Sequence, residues 1–217
     1  MAAETAGIVT GVAEAHPEPI SLSADPERAL AEAAAALRAG GVVLVPTDTV
    51  YGLAALTPGA EEDLFVLKGR PADRSIAVLV ADRPAAESLA ASVPTPLAEL
   101  MDHHWPGPLT VVLPRRKAAD PQIGGDRDTV GVRCPDHPWL RRLLAGVGPL
   151  ATTSANRHAQ PTPPQAADVL TALPPDPDTG AAIAVAIDGG PCTGEASTVV
   201  TWRDDELQVL RPGPLAV

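Results

Sequence analysis

The segment GVVLVPTDTVYGLAALTPGAEEDLFVLKGR, residues 41–70, decides how the chain is read. Val42-Val43-Leu44-Val45 is an apolar strand, and Pro46 ends it because proline has no N–H to give to a ladder. Thr47, Asp48 and Thr49 follow, then Val50-Tyr51-Gly52-Leu53; the chain's single Tyr and single Phe both fall in this segment. Residues 61–67 read as a short amphipathic helix that delivers Lys68-Gly69-Arg70 at its C-terminal end. A strand tip thus carries hydroxyls and a carboxylate, and the next helix end carries two cations split by a glycine. Hydroxyls facing cations across a strand tip suit a ligand with phosphate and hydrogen-bonding groups. Two plainer readings compete. Thr-Asp-Thr after a strand commonly makes a turn through local side-chain bonds. Lys-Gly-Arg commonly makes a glycine cap whose cations face the helix dipole, in which case both cations should be exposed.

The chain has 217 residues, enough for one domain with a real core. Aromatics are only 2% of it, so aliphatic residues must carry that core, and 25 prolines predict stiff loops. The formal net charge of -11 argues against a protein that holds nucleic acid mainly by neutralising phosphates, while leaving room for a local basic pocket. Arg115-Arg116-Lys117 is the compact basic run and reads as a solvated loop. Two distant cysteines, Cys134 and Cys192, imply no disulfide framework. Cys134-Pro135-Asp136-His137 looks like half a metal site, but no second half with comparable spacing exists, so no protein metal ligands are expected. The N-terminus lacks the basic and apolar regions of a secretory signal, and no apolar run reaches the length of a membrane span. The expectation is a cytoplasmic protein without membrane contact.

Residues 1–23 read as a loose extension with one short edge strand near 20–22, and 24–217 as a single domain. Asp25 caps a helix that begins at Pro26 and stops at Gly40. Further strands are expected at 76–80, 109–113, 129–133, 150–153, 183–187, 197–202 and 207–210, and helices at 84–91, 96–104, 138–144 and 164–173. Residues 114–128 form a long polar loop. Strands alternating with helices, some neighbours able to pair only antiparallel, predict an α/β domain with a twisted mixed sheet. Thr47, Thr110, Arg133, Ser154, Asn156, Ser197 and Arg211 all sit at strand ends, where they describe one rim or merely satisfy backbone groups.

PTDTVYGL at 46–53 and KGRP at 68–71 are followed by WPGPLTVVL at 105–113, VGVRCPDHP at 130–138, TTSAN at 152–156, STVV at 197–200 and LRPG at 210–213. In that order they resemble the YrdC-like family, the threonylcarbamoyl-AMP synthases, over residues 29–214. The resemblance implies a twisted mixed sheet flanked by helices, with a large concave face. It implies a reaction joining L-threonine, bicarbonate and ATP into threonylcarbamoyl-AMP plus pyrophosphate, for threonylcarbamoyladenosine modification of tRNA. It further implies that Lys68, Arg70, Ser154 and Asn156 are the catalytic signature at the phosphates, that Thr110 and Arg211 also bind ATP, and that Thr47, Arg133 and Ser197 hold threonine. Mg2+ would accompany ATP, held mainly by phosphates and water. The product would pass to a separate tRNA threonylcarbamoyl transferase complex, with weak or no direct tRNA binding by this acidic chain. Three departures from the family pattern stand out: Arg74-Ser75-Ile76 where Asn-Pro-Leu is usual, Leu79 where a His often ends the strand, and His158-Ala159 where Ser-Gly is usual. They bear on the identity of the amino acid more than on adenylate chemistry. The resemblance further implies the single-domain form of the family, without the extra C-terminal domain of longer members. Two alternatives stay open: a paralogue making another adenylate or none, and a non-catalytic RNA-binding module.

Overall fold

In a computed structural model that describes residues 16–118 and 121–217, the apolar run after Gly41 is strand β2 (Val42–Val45), and both of its faces are buried. Val42 and Leu44 enter one apolar cluster and Val43 and Val45 another, as the two-residue period of a strand requires. A strand buried on both faces lies inside a sheet between two layers. The other strands are β1 (Ile20–Ser21), β3 (Gly52–Leu56), β4 (Ala77–Leu79), β5 (Leu109–Pro114), β6 (Thr129–Arg133), β7 (Leu150–Ser154), β8 (Ile183–Asp188), β9 (Thr198–Arg203) and β10 (Glu206–Arg211). The helices are α1 (Pro26–Arg38), α2 (Glu61–Lys68), α3 (Arg83–Leu89), α4 (Thr95–His104), α5 (Pro138–Val147) and α6 (Ala166–Ala172).

All ten strands join one mixed sheet in the order β1-β8-β2-β3-β7-β4-β6-β5-β9-β10. Pairs β1–β8, β8–β2, β4–β6 and β5–β9 are parallel, and the others antiparallel. The expected mixed α/β fold is therefore present. Asp25 caps α1 by accepting from the Arg28 N–H at 3.0 Å, with proline at the first helical position. The short strand expected near residue 20 is present as an edge strand of the sheet, paired to β8, so the fold begins before residue 24; residues 1–15 of the expected extension lie outside the described residues. The sequence reading missed β3. Its GLAAL run lacks the β-branched residues that mark strands, yet it lies between β2 and β7 with its first four residues buried. Small side chains suit that crowded interior position.

Helices α1 and α5 cover only part of one sheet face. Their cluster takes Val43, Val45, Ala54, Leu79 and Leu150. The other cluster, on the opposite face, takes Leu53, Val78, Val111, Val132 and Val200 together with residues of α2, α3, α4 and α6. One side of the sheet is thus covered by four helices, and the other by two.

Strands β9 and β10 are joined by Asp204-Asp205, both at positive φ (53° and 59°), with Arg203 opposite Glu206. This is a two-residue hairpin loop of the type that prefers Asn-Gly or Asp-Gly, because side chains with a Cβ resist the left-handed region. Asp205→Gly should stabilise the fold by roughly 0.5–1 kcal/mol and raise Tm by about 1–3 °C. Thermal unfolding of the two proteins checks this, and a lower Tm would show that the Asp205 side chain contributes more than its strained backbone costs.

Candidate active site

The uncovered part of the two-helix face is a cavity of about 610 Å³, within the range of small-molecule sites. Its floor follows from strand parity. On β6, Val130 and Val132 point into the core while Thr129, Gly131 and Arg133 line the cavity. On β5, Val111 points in and Thr110 and Val112 out; on β9, Val200 points in and Val199, Thr201 and Arg203 out. Continuing the α1/α5-facing residues along their strands reaches Thr47 beyond β2, Gly52 on β3, and Thr152 and Ser154 on β7. The helices stop, the same face goes on, and its residues change from aliphatic to hydroxylated and cationic.

Arg70, Arg74, Arg133, Arg203 and Arg211 all line this cavity of a chain with net charge -11. Two are fixed in the same way. Arg70 donates through Nε to Arg74 O (3.0 Å) and through Nη2 to Ser75 O (2.7 Å). Arg211 donates through Nε and Nη2 to Ser197 O (3.1 and 2.7 Å), and through Nη2 to Ser197 Oγ (3.0 Å). In each, backbone carbonyls grip one edge of the guanidinium, and Nη1 has no partner among the described residues. Burial lowers the pKa of both, and nearby cations add to the shift: Arg74 for Arg70, then Arg133 and Arg70 for Arg211. Such mutual repulsion is relieved by an anion.

Lys68 is only 2% exposed, which rules out a cap role alone. Gly69 does cap α2 in the left-handed conformation (φ 61°), and its turn sends the chain on toward Arg70. The Lys68 ammonium instead crosses to the end of β7, donating to Ser154 O (2.7 Å), Ser154 Oγ (3.0 Å) and Asn156 Oδ1 (2.7 Å). In the ammonium form its three protons are all taken inside the protein. Ser154, which lines the cavity, keeps its own hydroxyl proton to donate. Asn156 is buried and equally committed: Nδ2 donates to Arg157 O and Gln160 O, and Oδ1 also accepts from Thr162. Neither Lys68 nor Asn156 lines the cavity, so both stand behind Ser154. Burial, then the Arg70 and Arg211 charges, push the Lys68 pKa down to about 7.

The sequence reading set Thr110 and Arg211 apart from Ser197, but the fold joins them in one chain. The Thr110 and Ser197 hydroxyls lie 2.7 Å apart, and Arg211 binds the same serine. Arg133 has no free guanidinium nitrogen: Nε donates to Gly107 O, Nη1 to Thr49 Oγ1 and Nη2 to Asp48 Oδ1 (2.5 Å). Thr47 donates to Val50 O (2.7 Å) and lies 2.9 Å from the Thr49 hydroxyl. Arg133 therefore braces the Thr47–Thr49 tip, an arrangement in which Asp48 and Thr49, absent from the expected site, are as necessary as Thr47. Tyr51 braces the same segment from below, donating to Gly190 O at 2.8 Å and accepting from the Gly189 N–H at 3.1 Å. Thr129, Thr152, Thr201 and Arg203 also escaped the sequence reading, although strand parity was a usable signal for them; Arg74, in the loop before β4, carried no such signal. Two of the three departures from the family pattern lie on this wall, since Arg74 and Leu79 line the cavity; the third does not line it, and there Ala159 holds φ 62°, the backbone that a glycine adopts freely.

Residues 35–213 match the Sua5/YciO/YrdC family, described as "Telomere recombination". A Bacillus subtilis threonylcarbamoyl-AMP synthase is 39% identical over 194 residues, covering 87% of this chain and 54% of the relative. A Mycobacterium tuberculosis protein is 37% identical over 199 residues and is covered to the same 89% as this chain. The Pyrococcus abyssi Sua5 structure complexed with L-threonine superposes with a TM-score of 0.77 at 37% identity, over 86% of this chain and 54% of that one. The chain thus spans about half the length of the Bacillus and Pyrococcus relatives and most of the mycobacterial one.

A buried lysine whose pKa falls from 10.5 to about 7 is mostly neutral in the empty site above pH 7. An anion nearby favours the ammonium, so binding there takes up a proton, and affinity falls as pH rises through that range. At about pH 8.5, where the phosphates of ATP are already ionised, calorimetry of ATP binding in two buffers should reveal proton uptake, and Lys68→Met should abolish it. Identical enthalpies in both buffers with the native protein would exclude Lys68 as the responding group.

Proposed function

The chain belongs to the Sua5/YciO/YrdC family, and on that premise we propose that it is an L-threonylcarbamoyladenylate synthase. The observation that carries the reading is the pair of carbonyl-anchored arginines, Arg70 and Arg211, set beside a serine backed by a buried lysine in one open cavity. The threonine of the Pyrococcus Sua5 complex and the names of the relatives support the substrate.

The threonine amine takes up carbon dioxide from bicarbonate as a carbamate, with loss of water. A carbamate oxygen then attacks the α-phosphorus in line, and pyrophosphate leaves. Negative charge grows on the phosphate oxygens, so fixed cations that need no reorganisation stabilise the transition state more than the ground state. Arg70 and Arg211 supply such cations through their open Nη1 groups. Ser154 donates its hydroxyl to a phosphate oxygen, while Lys68 adds charge from behind and Asn156 holds Lys68. Thr110, through Ser197, completes the ATP side. Thr47, Arg133 and Ser197 form the threonine side, Arg133 by bracing Thr47 and Thr49. No side-chain nucleophile is required. Among the described residues no group of His, Cys, Asp and Glu is placed to cage a metal, and the cavity walls offer mainly hydroxyls and cations. That donor set suits a triphosphate bringing its own Mg2+, which would supply neutralisation of leaving-group charge.

The product, a mixed anhydride, is handed to a separate transferase acting on tRNA. Direct tRNA binding is weak, given the charge of -11. No helix among the described residues is long and apolar enough to cross a membrane; a cytoplasmic location is part of the proposal. A second reading has one observation in its favour: Arg74 and Leu79 both line the cavity, where they alter the wall offered to the amino acid. Under that reading the protein makes a different adenylate.

Pyrophosphate release decides between them. It should require ATP, bicarbonate and L-threonine together; release without amino acid, or with serine preferred, would sink the assignment. Arg70→Lys keeps the charge but loses the planar fork, so it should lower adenylate formation about a hundredfold with Tm nearly unchanged. Normal kcat in that variant would remove Arg70 from the phosphate site.

A further inference from the structure

Glu61 is 1% exposed, lies at the first position of α2, and does not line the cavity. No cation pairs with it among the described residues; neutral donors satisfy its carboxylate. Thr57 Oγ1 donates to Oε1 at 2.6 Å, the Gly59 N–H to Oε2 at 2.6 Å, and the Gln122 N–H to Oε1 at 3.2 Å. A buried carboxylate without such bonds would carry a large desolvation penalty, so these donors and the carboxylate hold one another in place. The Gln122 bond is the informative one, because it reaches across 61 residues to the loop after β5.

From Gln122 onward that loop lies against the segment that follows Arg70. Ile76 N–H donates to Ile123 O (2.9 Å), Gly125 N–H to Ala72 O (3.0 Å), and Ser75 Oγ to Gly124 O (3.4 Å). The approach leaves no room for side chains: a Cβ on Gly125 would lie 1.9 Å from Ser75 Oγ, and one on Gly124 2.6 Å from Ala72 O. The carbonyls gripping the Arg70 guanidinium are those of Arg74 and Ser75, in the middle of this clamped segment. We propose that Glu61 is a positioning residue for the anion site, acting through residues 122–125 and 72–76 to hold Arg70. Phosphate recognition at Arg70 then depends on a carboxylate that touches no ligand. This rests on the synthase reading for its ligand, ATP, but not for the clamp itself.

Two measurements test it. Glu61→Gln keeps the shape but turns one oxygen into an NH2 that faces a donor. Hydrogen exchange at the Ile76 and Gly125 amides should accelerate at least about tenfold, with exchange in β2 unchanged. ATP affinity should fall about tenfold, the order expected for loss of one charge-assisted hydrogen bond. In an Arg70→Ala background the same change should cost less than about twofold, because Glu61 acts through Arg70. Should Glu61→Gln fail to fold, Thr57→Val removes one donor from the same carboxylate and takes its place. Unchanged exchange at Ile76 and Gly125, or additive losses of affinity, would overturn the proposal. A native protein with the expected exchange pattern but no ATP binding would instead overturn the synthase reading and leave the clamp standing.

Discussion

The site depends on one buried ammonium. Lys68 ends α2, and its ammonium form is satisfied only by reaching the end of β7, where Ser154 and Asn156 accept from it. Leaving such a group unpaired in the interior would be costly, so its acceptors fix the distance between helix end and strand end. Asn156 makes the joint rigid, because its own amide is held by the loop that continues to Gln160. The His158 N–H closes the same corner on the Lys68 carbonyl at 2.8 Å. The serine hydroxyl in the cavity is oriented by this joint.

The position of the site follows from how much sheet the helices cover. Ten strands make a sheet wider than α1 and α5 can screen, so one face is aliphatic beneath them and polar beyond. A bare sheet face lined by threonines and arginines is tolerable because those groups meet water or a ligand. Burial first, and neighbouring cations second, lower the pKa of Arg70 and Arg211, and these two are held by backbone carbonyls rather than by carboxylates. An acidic partner would have cancelled the charge that an anionic ligand meets. Arg133 shows the contrast: paired with Asp48, it serves the architecture of the Thr47–Thr49 tip.

The departures from the family pattern sort by physical consequence. Ala159 keeps the left-handed backbone that glycine adopts freely, at a cost on the order of 1 kcal/mol, so the corner geometry survives the substitution. Arg74 uses its carbonyl to hold Arg70 and also lines the cavity, where it adds positive charge. Leu79 is buried at the boundary between cavity and helical cover, where it belongs to both the wall and the core.

The sequence by itself determined the elements that local chemistry dictates. Asp25-Pro26 started α1, Pro46 ended β2, and Gly69 capped α2. It also placed the site's residues, one by one, at strand ends. Only the tertiary structure decided which of them face a ligand. Lys68 and Arg70 are separated by one glycine, yet one is sealed behind Ser154 and the other opens into the cavity, because each is held by partners from a different part of the chain or from a turn whose path Gly69 sets. The strand β3 and the Glu61–Gln122 bond were equally hidden. The small residues of GLAAL form a strand because β2 and β7 flank them, and a glutamate at a helix start looks like an ordinary dipole partner until a loop 61 residues away donates to it. Hydrogen bonds between residues distant in sequence leave no local pattern, and in this protein they are what turns a row of strand-end polar residues into a cavity with fixed charges.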